Sequence, residues 1–536
     1  MLSVAQMQSL VLEAPLASIT ILFLSLYILV LSKKSSPVRY ARPASTLPIL
    51  GDTLDAAIYQ VDRIYDWLAE QSEVIGGPWA LSILGDPPNL IITSPELIED
   101  VLKTQFEIFQ RGDQDTDCMK ELFGKGIFAS GGDAWYFHRK TASNLFTGQM
   151  MRDVMYRAVH DNATVLCNVL RVYASREPGT MSFKSVITQF TSDVFCKIGF
   201  GVDLKCLEAG VHGEKGNEFV DAFGNAMHVT FMRYQQPAWL WHLKRYLNIG
   251  DEKLHRHSID VINKFIFRII DESTARTQSG DGQAAPPKDL VSLFLHSKVN
   301  ESEGIKSRAF DSEVQMIRDM VVNFLVAGED TTANSISYFI LMMNRYPHVL
   351  AKIRDEMRKH VPGLLTGEQA VPSMDELPRL TYLEAAIREN LRLNPVVPWV
   401  SRQAKAATVL CDGTPIPYNT RIGMLVYATG RSKTVWGEDA LDFKPERWID
   451  ADTGKLIAVS PYKFPTFIAG PRQCLGMTFA LMQMKCTLAV LLSKFDLQTV
   501  QDPWEVTYKA ALTMAVKGPM MVKVAPLVGG ERARSA

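Results

Sequence analysis

Net charge of either sign is almost absent from this chain: 57 Lys and Arg against 58 Asp and Glu leave a formal −1 over 536 residues. That balance offers no electrostatic footprint for a nucleic-acid partner. Cysteine is scarce and unpatterned. The seven, at positions 118, 167, 196, 206, 411, 474 and 486, are odd in number, contain no CxxC pair and keep no regular spacing. Neither a disulfide framework nor a zinc site is suggested, and a reducing compartment fits best. No segment recurs at a solenoid period, so a repeat architecture is excluded as well.

Long apolar runs are also few, and the one at the N-terminus carries information. Ala14 to Ser32 is nineteen uncharged, mostly apolar residues, which as a helix at ~1.5 Å per residue just crosses a hydrocarbon core of ~30 Å. Lys33, Lys34, Arg39 and Arg42 follow it and only Glu13 precedes it. The positive-inside rule then puts a short leader, 1–13, in the lumen and everything after the span in the cytosol. A cleavable signal peptide is the alternative; it lacks a basic residue before the run and a small-x-small site after it. Pro37, Pro43, Pro48 and Gly51 make 33–51 a stiff, non-helical connector.

The remainder, 52–536, has the composition of a large core, 47% hydrophobic and 21% charged across the chain. Its length alone allows three domains. The patterning on both sides of the Gly/Ser/Pro-rich loop 277–288 is alike, and the text reads as one mostly helical body with a smaller β region. Apolar periodicity predicts helices near 133–176, 182–200, 214–232, 251–272, 310–345, 346–360 and 382–393. Short runs either side of Gly85-Asp-Pro-Pro predict a hairpin within 81–93.

The most specific pattern is Phe467-Ile-Ala-Gly470-Pro-Arg472-Gln-Cys474-Leu-Gly476. A chance match to its Phe, Gly, Arg, Cys and Gly at fixed offsets is on the order of one in ten thousand. One thiol stands between glycines that let backbone N–H groups approach it, with a cation two residues away. This suits a thiolate ligand of haem iron, which pushes electron density onto the metal and favours cleavage of dioxygen. Arg472 is placed to pair with a haem propionate. A buried structural cysteine is the bland alternative.

Other groupings are individually weak. Ala327-Gly328-Glu329-Asp330-Thr331-Thr332 interrupts a long apolar helix; on the open face of a haem its small residues would leave space for dioxygen, with Thr331 to hydrogen-bond it and Asp330 to relay protons. An ordinary kink or helix start explains the same residues. Glu389 and Arg392 share a helical face, and Arg447 in Pro445-Glu-Arg-Trp448 can complete a buried ion network with them. Trp135 and Arg139, four apart, can present an indole N–H and a guanidinium to propionates, with Arg402 as a further cation.

Together, and in this order, these residues resemble the cytochrome P-450 family of haem-thiolate monooxygenases over almost the whole chain. The resemblance implies a mostly α fold with a smaller β region behind a transmembrane helix, and haem b as cofactor. By that likeness Cys474 is the iron ligand, with Phe467 and Gly476 in its loop. Asp330 and Thr331 form the acid and alcohol pair, and Glu389, Arg392 and Arg447 the structural triad. Trp135, Arg139, Arg402 and Arg472 match propionate-binding positions. Phe190 to Leu207, Leu122 to Thr141 and Gln483-Met-Lys485 look like the plant and fungal fatty-acid ω-hydroxylase clan. Expected walls of an apolar substrate pocket are the loop 106–130, the aromatic stretch Phe231 to Trp241, the helix around Phe324 to Ala327, Val396 to Val400 and Leu512 to Met514. Phe231 to Trp241 either dips into the bilayer or packs internally. No dinucleotide fingerprint follows the cysteine loop, so electrons are expected from a separate NADPH-dependent flavoprotein reductase, with cytochrome b5 as a second donor, at the endoplasmic reticulum membrane. A sterol, xenobiotic or secondary metabolite is the alternative substrate; sensing or electron transfer is the alternative function.

Overall fold

The computed structural model describes residues 38–84, 86–211, 217–279, 289, 291–292 and 308–527. The expected membrane segment 14–32 and residues 280–288 of the expected loop lie outside the described residues. No helix among the described residues is long and apolar enough to cross a membrane.

Helices dominate: α1 (Ile64–Ile75), α2 (Asp113–Phe123), α3 (Gly132–Ser143), α4 (Arg157–Ser175), α5 (Phe183–Phe200), α6 (Cys206–Val211), α7 (Glu218–Tyr234), α8 (Ala238–Leu247), α9 (Gly250–Ser279), α10 (Arg308–Arg345), α11 (Pro347–His360), α12 (Thr381–Leu393) and α13 (Met477–Lys494). The run expected as one helix over 133–176 is broken. Thr147, extended at φ −68° and ψ 155°, accepts a hydrogen bond from the Met150 N–H and so caps a new start after α3. The segment 106–130, expected as a loop, contains α2 behind the extended Gly112.

The expected hairpin forms. β1 (Trp79–Leu81) pairs antiparallel with β2 (Asn89–Ile92). With β3 (Phe109–Gln110), β5 (Val400–Ala404) and β6 (Arg421–Met424) they make a five-stranded sheet in the order β1-β2-β6-β5-β3. A second sheet places β10 (Met521–Pro526) between β4 (Thr180–Ser182) and β7 (Phe495–Thr499). The described part of the connector, 38–51, docks on the first sheet rather than standing free. The Ala80 N–H donates to Ala41 O at 2.9 Å, and Gly51, at φ +60°, lies so close to Ser82 O that no Cβ fits.

The centre of the body is α10, 38 residues and about 57 Å long. From Ile317 to Met343 almost every side chain is buried, the pattern of a helix packed on all sides. Its polar residues there satisfy backbone groups that would otherwise be stranded at the end of α2. Arg318 donates to Leu122 O at 2.8 Å and Asn323 to Phe123 O at 2.7 Å, while Asp319 accepts from the Lys125 N–H at 2.8 Å.

No helix start occurs at 327–332; α10 is continuous through it. The glycine has a different explanation from the expected space for dioxygen. A Cβ on Gly328 would overlap the ring of Phe195 on α5, and that ring is held edge-on to Phe479 of α13 at 5.4 Å. Gly328 therefore sets how closely α10 and α5 approach. Gly328→Ala is expected to lower stability by about 1–3 kcal/mol through overpacking, read as a drop in the denaturant midpoint, with Phe195→Leu in the same chain restoring part of the loss.

Candidate active site

The cysteine loop is built from tight backbone. After the turn Pro465–Phe467, Ile468 takes φ +56°, an outlier for a β-branched residue. Gly470 at φ +68° presses against Leu102 O where no Cβ fits, so glycine is required there. The Cys474 N–H donates to Phe467 O at 2.8 Å, and α13 begins three residues further on. At Gly476 a Cβ would stand 3.7 Å from the Phe146 ring and 3.9 Å from Cys474 Sγ. These are ordinary van der Waals distances, so packing within the chain does not by itself require glycine at 476.

Cys474 differs from the five buried cysteines in being solvent-accessible. It is nonetheless recessed: burial pushes its thiol up, while the Gly476 N–H and the Arg139 charge pull it down. A metal ion bound at the sulfur would add to the pull of Arg139 and favour the thiolate.

Around the recess stand more cations than carboxylates. Arg139 on α3 donates to Gln473 O at 2.8 Å and lies 5.9 Å from the Trp135 ring centroid; Arg472 lies 4.5 Å above the same ring and donates to Ser130 O at 3.0 Å. Arg402 on β5 is 3% exposed, and its Nε has no partner among the described residues. Burial, then the charges of Arg111 and Arg472, bring Arg402 down to about 9. Burial, then Arg111 and Arg139, bring Arg472 down to about 10. The structure thus brings Trp135, Arg139, Arg402 and Arg472 together and adds Arg111, whose Nε also lacks a partner among the described residues. Arg111 escapes sequence reasoning because it sits in no motif, only after the short strand β3. Cations this strongly desolvated, with a recessed thiol among them, fit a dianionic metal porphyrin: propionates for the arginines and iron for the sulfur.

The hexad divides between two faces of α10. Asp330 accepts from Thr513 Oγ1 on one oxygen and from Asn334 Nδ2 at 3.0 Å on the other. Burial pushes its carboxyl up, opposed by the Thr513 hydrogen bond and the charge of Lys184 on α5. Thr331 donates to Ala327 O at 2.6 Å, so it and Asp330 are not bonded to each other. Glu329 points to α5 instead. Ser192 Oγ lies 2.6 Å from Glu329 Oε1 and 2.9 Å from Thr188 O. A single hydroxyl proton cannot fully satisfy both acceptors, an arrangement that favours a proton on Glu329. Burial, raising its carboxyl to about 8, agrees.

On the other side of the cysteine loop, Glu389 and Arg392 are fully buried and bidentate, Nε to Oε2 and Nη2 to Oε1 both at 2.8 Å. Arg447 meets Glu389 only at 3.5 Å; its nearer partner is Asp439 at 2.8 Å. Trp448 Nε1 at 2.8 Å and the Lys444 N–H at 2.9 Å complete the Glu389 carboxylate. The expected triad is thus a larger network in which Arg447 is peripheral. Asp439 and Trp448 were legible only as neighbours of Arg447 in sequence.

Among the expected walls, Val396 and Met514 are both buried and joined by Met514 N to Val396 O at 2.8 Å. The Phe231 to Trp241 stretch splits: Arg233 and Trp241 are buried together, 4.6 Å from guanidinium to ring centroid, while Trp239 is exposed. Among the described residues, Glu121, Glu252 and His255 have metal-like spacing. The Arg233 guanidinium already pairs with both glutamates, so they form an ion network.

Two outcomes are expected. Glu389→Ala leaves Arg392 as a buried unpaired charge and should cost ~3–5 kcal/mol in denaturant unfolding, whereas Asp439→Ala should cost less. For Glu329 the folded value of about 8 exceeds the ordinary 4.5. Its contribution is therefore full below pH 4.5 and lost by about pH 8. Glu329→Gln should melt increasingly above the parent as pH rises across that window, by scanning calorimetry at several pH values.

Comparison with known proteins agrees with this chemistry. The Cytochrome P450 family model matches residues 42–524. Cytochrome P450 CYP94D109 of Paris polyphylla is 32% identical over 462 residues, covering 83% of this chain and 88% of its own. Cytochrome P450 704C1 of Pinus taeda is 31% identical, covering 90% and 93%; Cytochrome P450 86B1 of Arabidopsis thaliana is 31% identical, covering 89% and 84%. With the family model spanning nearly all of the body, the chain belongs to the cytochrome P450 family of haem-thiolate monooxygenases.

Proposed function

We propose that this monooxygenase hydroxylates a fatty acid or a related alkyl lipid. The observation that carries the reading is the apolar wall: Val396, Val400 and Met514 are buried, and their segments are joined by a backbone hydrogen bond. An apolar slot with few polar anchors suits an alkyl chain, and the clan-like text of Phe190 to Leu207 and Gln483 to Lys485 supports the same class.

When bound, the haem supplies the redox chemistry that activates dioxygen, placing one oxygen atom in a C–H bond while the other leaves as water. A separate reductase supplies the electrons. In our reading Cys474 binds the iron, held in register by the Phe467 carbonyl and the Gly476 N–H. Trp135, Arg139, Arg402 and Arg472, with Arg111, hold the propionates. Asp330 and Thr331 hold and move protons on the substrate side. Glu389, Arg392 and Arg447 with Trp448 keep the loop's underside rigid.

The same reading gives the protein one catalytic body, 52–536, behind an anchor at 14–32 in the endoplasmic reticulum membrane, with cytochrome b5 as a second donor. Support for a lipid contact comes from α8 and its end, where Trp239, Leu243, Tyr246, Leu247 and Ile249 are exposed. An apolar helical face of this kind suits the bilayer interface.

The reduced holoprotein with carbon monoxide is expected to show the red-shifted Soret band of a thiolate ligand, and Cys474→Ala to lose it. Retention of the band in the variant overturns the ligand assignment. A panel of fatty acids, alkanes, sterols and aromatic compounds, incubated with a reductase, should yield hydroxylated lipid. Oxidation of non-lipid compounds alone overturns the substrate reading.

A further inference from the structure

We infer that Thr513 is a positioning residue for Asp330: it holds the carboxyl in a parked orientation and ties its release to the substrate-facing turn at 512–514. The inference rests on the proton-delivery role proposed for Asp330.

Both Asp330 oxygens are occupied by neutral donors of different origin. Asn334 is one turn further along the same helix and moves with it. Thr513 comes from a different element, 183 residues away. It is 6% exposed and sits between β8 (Tyr508–Lys509) and β9 (Ala515–Val516), which pair antiparallel. Next to it, Met514 N donates to Val396 O at 2.8 Å, joining the turn to a second pocket wall. The charge that faces Asp330, Lys184, is attached to the same hairpin, its Nζ donating to Val516 O at 3.3 Å. The other ionisable groups nearby are Glu329 on the same helix and Lys509 on β8, which acts on Lys184.

In this arrangement neither Asp330 oxygen is bonded to Thr331, whose hydroxyl donates to Ala327 O. Each Asp330 oxygen keeps a free lone pair, but the two donors fix the carboxyl's orientation, and turning it toward Thr331 loosens one of them. The Thr513 bond crosses between elements, so a shift of the turn when substrate packs against it breaks that bond and leaves the Asn334 bond intact. A hydroxyl donating to a carboxylate also favours its charged form. Losing Thr513 therefore both frees the carboxyl and strengthens its hold on a proton.

The experiment uses full-length haem-loaded protein bearing Thr513→Val, which keeps shape without the donor, and Thr513→Ser, which keeps the donor. The first readout is the infrared titration of the Asp330 carboxyl, its band assigned by loss in Asp330→Asn and separated from Glu329 by Glu329→Gln. The second is the pH profile of peroxide released per NADPH consumed, with reductase and dodecanoic acid. We expect Thr513→Val to raise the proton affinity of Asp330 about tenfold, the scale of one hydrogen bond to a charged group. The peroxide profile should move in the same direction, Thr513→Ser should behave as the parent, and Thr513→Val should be silent in an Asp330→Asn background. An unchanged Asp330 titration in Thr513→Val overturns the inference. If Asp330→Asn itself leaves the peroxide profile unchanged, the relay reading fails first and the inference falls with it. Should Thr513→Val not fold, Thr513→Ala is read on the same two axes.

Discussion

The close approach of α10 to α5 is the contact on which the rest of the site depends. It is possible because residue 328 has no side chain, and the Phe195 ring fills the space a Cβ would take. Once that distance is set, the phase of α10 follows from its 3.6-residue period. Glu329 is turned into the α5 contact, where a protonated carboxyl is stable, and Asp330 and Thr331 are turned away from it. Two adjacent acids thereby meet different surroundings, one closed by Ser192, the other shared between Asn334, Thr513 and Lys184. Burial raises both carboxyls, yet only Asp330 has a nearby cation to oppose the rise.

The second constraint is electrostatic. Burial lowers the proton affinity of Arg139, Arg402 and Arg472, and neighbouring guanidiniums lower that of Arg402 and Arg472 further. Such a cluster is costly in isolation, because each guanidinium loses water without gaining a carboxylate. A porphyrin with two propionates and a cationic iron answers both halves of the deficit, the arginines and the recessed thiol. Beneath the loop the opposite solution is used. Glu389 is saturated by Arg392, Trp448 and the Lys444 N–H, so its charge is neutralised within the protein and the loop rests on a rigid floor.

Much of the fold was legible because it is local. The long helices follow from apolar periodicity, and the hairpin from Gly85-Asp-Pro-Pro between two apolar runs. The break after α3 was missed because Thr147 looks like any helix residue until its hydroxyl is seen capping Met150. The helix α2 was missed because its first turns, Asp-Gln-Asp-Thr-Asp, read as a polar loop; its C-terminal carbonyls are satisfied by α10 and not by its own sequence. The hexad was read as small residues around dioxygen, whereas its glycine belongs to helix packing.

By itself the sequence determined which residues share a turn or a face: the thiol among its glycines, Trp135 with Arg139, Glu389 with Arg392, Asp330 beside Thr331. Covalent neighbours and helical spacing impose those relations before any folding. Only the tertiary structure decided which partners meet across the chain. Arg111 joins the cation cluster, Asp439 takes most of Arg447, Phe195 requires Gly328, and Thr513 reaches Asp330. Apart from Asp439 and Arg447, eight residues apart, those partners come from segments distant in sequence, and no periodicity encodes them; Phe195 and Thr513 meet residues of α10, which is buried on nearly every side.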